Sequence, residues 1–95
     1  MSSRTVNSYL ADLGARVASD GITAHSGDAL VVGDVALAVA PAAATVLADL
    51  GQPEVARLRA LAVVSSAVLR NPAATRSLGS ALARVVSGLE PAAAA

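Results

Sequence analysis

The stretch ITAHSGDALVVGDVALAVA, residues 22–40, decides what kind of fold this chain builds. Ala29–Val32 and Val35–Val39 are apolar runs, and Gly33-Asp34 between them is a suitable two-residue hairpin turn. Such a turn pairs Val32 with Val35, Val31 with Ala36 and Leu30 with Leu37. One face then holds Leu30, Val32, Val35, Leu37 and Val39, while the other holds mostly Ala, plus Val31. A large face and a small face suit a sheet covered by helices on one side. Ile22–His25 adds a third strand through a turn at Ser26-Gly27. The competing reading is a single helix from Asp28 to Ala40, which Gly33 and four Val residues disfavour.

On either side of this stretch the sequence reads as helix. Val6, Leu10, Leu13 and Val17 recur at spacings of 4, 3 and 4, one stripe of a 3.6-residue period, and Gly21 is a natural stop. Pro41 suits a first helical turn, with Val46, Leu47 and Leu50 forming an apolar side before Gly51. Pro53-Glu54 opens a further helix with a proline and an acid at its positive end. Ala60 to Leu69 of that helix carries no charge, which marks it as the central and most buried one. Arg70-Asn71-Pro72 separates it from a last helix, in which Leu78, Leu82, Val85 and Leu89 repeat at 4, 3 and 4. The expected fold is therefore α+β and helix-rich: an N-terminal helix, a small antiparallel hairpin or meander over about 22–40, then three helices. An all-α bundle is the alternative. The expected organisation is one domain over 1–90 and a flexible Ala-rich tail over 91–95.

With 95 residues of which 55% are hydrophobic, the chain lies well outside the composition of disordered segments. Its apolar residues are nearly all Ala, Val and Leu, with one Tyr and neither Phe nor Trp. Small side chains let helices approach closely but bury little area each, so oligomerisation would add stability. The net charge of zero conceals two opposed halves. Residues 1–54 carry two Arg against six carboxylates, a net −4, and residues 55–95 carry five Arg against one, a net +4. Such asymmetry favours head-to-tail association, internal docking or an acidic partner.

Most chemistry lacks the residues for it. The absence of cysteine excludes disulfides, thiolate nucleophiles and Cys-ligated zinc. His25, Ser26 and Asp28 supply the residue types of a hydrolytic triad, but within one four-residue span they read as a polar turn. One His and scattered carboxylates make no metal site, and the glycines make no phosphate-cradling pattern. No cofactor, metal or small-molecule substrate is implied, and the expectation is a non-enzymatic protein. No signal-peptide region opens the chain, and the longest uncharged apolar run, Val35 to Ala48, is too short to span a bilayer, so the expected location is cytoplasmic.

These features point to an Ala-rich protein–protein interaction domain that self-associates as a homo-oligomeric structural or adaptor protein. Its expected interface is either an edge of the hairpin or the last helix, through Leu78, Leu82, Val85, Val86 and Leu89 with Arg76 and Arg84 at the rim. The alternative is a small DNA-binding regulator using the Arg residues after position 55. Nucleic acid is disfavoured as a partner because Arg57 points nearly opposite Arg59 and Arg70, and no aromatic residue is available for stacking.

Overall fold

Gly33 is a helix residue, not a turn. In the computed structural model, which describes residues 3–89 and the side chains of 5–84, the described residues form five α-helices and no strand. They are α1 (Ser3–Asp20), α2 (Ser26–Ala36), α3 (Pro41–Ala48), α4 (Glu54–Arg70) and α5 (Pro72–Leu89), with a single 3-10 turn at Thr23–His25. The α+β expectation is corrected to an all-helical fold. The hairpin over 22–40 does not exist; its two supposed strands are α2 and the turn that follows it.

The physical reason lies in which residues α2 buries. Ala29, Val32, Gly33 and Ala36 are buried, a spacing of 3, 1 and 3 that belongs to one helical face. Apart from Asp28 and Asp34, every position around them is also apolar or small, so the sequence fits the periods of strand and helix alike. Gly33 packs against α3: a Cβ at this position would meet Leu47 Cδ2 at 3.6 Å and the Ala44 carbonyl oxygen at 3.8 Å. The residue that suggested a turn instead lets two helices approach closely.

The helix ends follow from local chemistry. Gly21 terminates α1 with φ +88, its N–H donating to the Val17 carbonyl at 2.9 Å. Pro41 at the first turn of α3 keeps Ala40 out of the helical region, at φ −148 and ψ 66, and ends the preceding turn. After α3, Asp49 Oδ1 accepts the Gly51 N–H at 2.9 Å. Leu50 therefore falls beyond the helix and is largely exposed, not part of an apolar side. Asn71 caps α5, its side-chain oxygen accepting the Ala74 N–H at 3.0 Å, while Thr75 Oγ1 donates to the Val68 carbonyl at 2.7 Å.

The core is one cluster running from Val6, Leu13 and Val17 through Val32 and Leu47 to Val64, Val68 and Leu78. α4 is the central helix, packing on each of the other four. It is central without being buried all round, because Ala62, Val63, Ser66 and Leu69 remain exposed. Arg57 lies inside, only 4% exposed, with Nε donating to the Leu47 carbonyl at 3.0 Å and Nη2 buried without a partner. A cation at the C-terminal end of α3 faces the negative end of that helix. Among the described residues no helix is long and apolar enough to cross a membrane.

Candidate interaction surface

α2 is inverted in side-chain size. Its small residues face inward, while Leu30 and Leu37, the latter the C-cap residue just past its end in helical conformation, stand 49% and 50% exposed. They are seven residues apart, two helical turns or about 10 Å, and so lie on one outward face. Asp34 sits between them, exposed, and its carboxylate has no partner among the described residues. The leucines thus form a ridge with a single charge at its middle.

A groove runs along each side of that ridge. Toward α3 a cleft of about 390 Å³ is lined by Leu37, Ala44 and Ala48, with Asp49 at its end. Toward α5 a cleft of about 430 Å³ is lined by Leu30, Val31, Val35 and Ala81, with Arg84 at its rim. Ridge and clefts make an apolar surface bearing two carboxylates and one guanidinium.

Of the residues the sequence put at an interface, Arg84 reaches this surface, and Arg76 is exposed elsewhere on α5. Leu78 and Leu82 are 0% and 8% exposed and belong to the core, so the stripe of α5 that contains them packs inward. The side chains of Val85, Val86 and Leu89 lie outside the described residues. Leu30 and Leu37 were missed because they were placed on the buried face of a sheet. Read as a helix, the same stretch would have put both within about 20° of each other, on the flank of the stripe that holds Ala29 and Gly33.

The polar residues at the start of α2 are engaged otherwise. Tyr9 donates its hydroxyl to Asp28 Oδ1 at 2.8 Å, and Arg16 Nη1 stands 3.8 Å from Asp28 Oδ2. Burial, reinforced by the hydrogen bond to Asp28 and by that carboxylate's charge, pushes the Tyr9 phenol well above its ordinary value, against a smaller opposing pull from Arg16. His25 Nε2 and Asp20 Oδ2 are 2.9 Å apart, and Ser26 Oγ donates to the Thr23 carbonyl. His25, Ser26 and Asp28 therefore each face different partners and form no relay. Among the described residues, no group of three or more His, Asp or Glu side chains is placed to hold a metal ion. Arg57 is sealed in the interior and cannot touch a phosphate backbone, which removes one of the five cations a nucleic-acid interface after position 55 would use.

No family model matches this chain, and no curated protein or solved structure shows significant similarity to it.

Proposed function

We propose that this chain is a self-associating protein-interaction module that uses the outward face of α2. The observation that carries the reading is the pair Leu30 and Leu37, half exposed on one ridge with an apolar cleft on each side. A helix that turns its small residues inward and its large ones to solvent gains little by doing so as an isolated domain. Covering the exposed half of each leucine is worth about 1 kcal/mol, and filling the flanking clefts adds to it. An interface of standard size takes about 800 Å² from each partner, roughly a seventh of the 5491 Å² this chain exposes. The ridge with its two clefts is a reasonable centre for such a patch.

The test is the solution mass, by light scattering on a sizing column, of the wild type and of Leu30→Glu at about 50 and 500 mM salt. Assembly of the wild type at both salts and its loss in Leu30→Glu supports the reading. A wild type that stays monomeric across both salts and the accessible concentration range sinks it.

A further inference from the structure

A third apolar cleft lies between α1 and α4, and it shares no residue with the α2 surface. It has a volume of about 370 Å³ and is lined by Ala11, Gly14, Ala18, Leu58, Ala62 and Ser65 among others, with no charged side chain. Leu69 continues the α4 side of this cleft one turn beyond Ser65, and it is 40% exposed. The molecule thus presents a ridge of large side chains on one face and a shallow uncharged groove on another. Ala11 and Ala18 are seven residues apart, as are Leu58 and Ser65, matching the interval between Leu30 and Leu37 on the ridge.

We propose, building on the self-association reading, that the α2 ridge of one copy docks in the α1–α4 groove of the next. Association is then head-to-tail, and unless the rotation between copies closes a ring it continues into a filament. Charge selects this occupant. The ridge surface bears Asp34 and Asp49 against Arg84, a net −1. The exposed charges of α4 next to the groove residues are Arg59 and Arg70, neither with a partner among the described residues, against Glu54, which already accepts the Ile22 N–H, a net +1. On the α1 side Asp12 is matched by Arg16 at 2.9 Å and adds no net charge. Docking ridge into groove sets an unpaired carboxylate near unpaired guanidinium groups. Docking ridge on ridge about a two-fold axis brings Asp34 toward its own copy, sets two net-negative surfaces together and leaves both grooves empty.

The two geometries respond differently to blocking one surface. The ridge is blocked by Leu30→Glu with Leu37→Glu, and the groove by Ala62→Glu. All three positions are exposed, Leu30 and Ala62 on helices and Leu37 just past the end of α2, and circular dichroism is the check that each variant folds. Head-to-tail docking predicts that each variant alone is monomeric, while an equal mixture forms a complex of two chains and stops there, since each variant keeps one working surface. A wild type whose mass keeps rising with concentration is the companion result. If Ala62→Glu assembles like the wild type, or if the mixture of two monomeric variants stays monomeric, the ridge-in-groove contact is overturned. A fixed wild-type dimer indifferent to Ala62→Glu overturns it while leaving self-association standing. A monomeric wild type instead removes the underlying reading.

Discussion

α1 and α2 bury the same kind of stripe, yet only one of them shows it in the sequence. In α1 the buried residues Val6, Leu10, Leu13 and Val17 are larger than their exposed neighbours, so size, polarity and period agree. In α2 the buried residues are Ala29, Val32, Gly33 and Ala36, while Leu30, and Leu37 just past its end, face out. Both helices are amphipathic in packing, but only α1 is amphipathic in composition. When the outward face of a helix is as apolar as the inward one, hydrophobic periodicity has nothing to contrast. That condition also describes a helix with a partner on each side.

The sharpest way to break this comparison is a matched pair of truncations. Leu13 is fully buried, so Leu13→Ala is expected to cost about 2–5 kcal/mol through lost transfer and an unfilled cavity. Leu30→Ala, on the outward face of α2, is expected to cost the isolated chain about 1 kcal/mol or less. Urea titrations at a concentration where both variants are monomeric measure the difference. Equal losses would mean that α2 is not inverted and that the ridge is part of the core.

Arg57 extends the comparison to α4, where the anomaly is a polar residue inside. Arg57→Ala is expected to cost about 1–3 kcal/mol, because the Leu47 carbonyl loses its donor in a buried site. Arg57→Met loses the same bond but keeps the volume and removes a buried cation whose Nη2 has no partner, so it is expected to cost less than Arg57→Ala. Melting temperatures of the two variants, read against the wild type, decide it. A large loss in Arg57→Met would show that the charge, facing the end of α3, outweighs its desolvation.

A smaller contrast lies within and just after α1. At Gly21, with φ +88 and a prospective Cβ 2.9 Å from Glu54 Oε1, Gly21→Ala is expected to cost roughly 1–2 kcal/mol. That Glu54 oxygen also accepts the Ile22 N–H at 3.0 Å, so the crowding strikes the contact tying α4 to the end of α1. At Gly14 a Cβ meets nothing within 4 Å, and Gly14→Ala is expected to gain about 0.5–1 kcal/mol of helix stability. Denaturant midpoints of opposite sign are the expected outcome.

These contrasts also explain what was readable in advance. The limits of α1, α4 and α5 were legible because each is marked by a residue with one mechanical use: Gly21, Pro53-Glu54 and Asn71-Pro72. Gly33-Asp34 was not legible, since the same dipeptide serves a tight turn or a close helix crossing, and only Leu47 and Ala44 across the gap distinguish them. Helical angles did set Arg57 opposite Arg59 and Arg70, but its charge argued for solvent, and the acceptor that lets it stay inside is a backbone carbonyl invisible in sequence. The candidate surface was lost with the hairpin, because the strand reading turned the leucines of the ridge inward.

The smallest expected effect tests the contact that joins the two helices. Tyr9 of α1 donates to Asp28 of α2, and burial together with that bond holds the phenol protonated above its ordinary range. The sign follows directly. In the unfolded chain the phenol ionises near pH 10, so the folded chain alone keeps the proton above that point. Stability from this contact is complete below about pH 10 and is lost as pH rises through the folded value. The chain has one Tyr, so tyrosinate absorbance reports this phenol alone. Tyrosinate absorbance should show a midpoint above that of free tyrosine, falling to the ordinary value on addition of denaturant. In Tyr9→Phe the alkaline loss of stability should disappear, with a cost at neutral pH of about 0.5–1.5 kcal/mol for the missing hydrogen bond. An unshifted phenol in the folded chain would mean that α1 and α2 are not held together at this point. The ridge would then rest on its packing against α3, α4 and α5 alone.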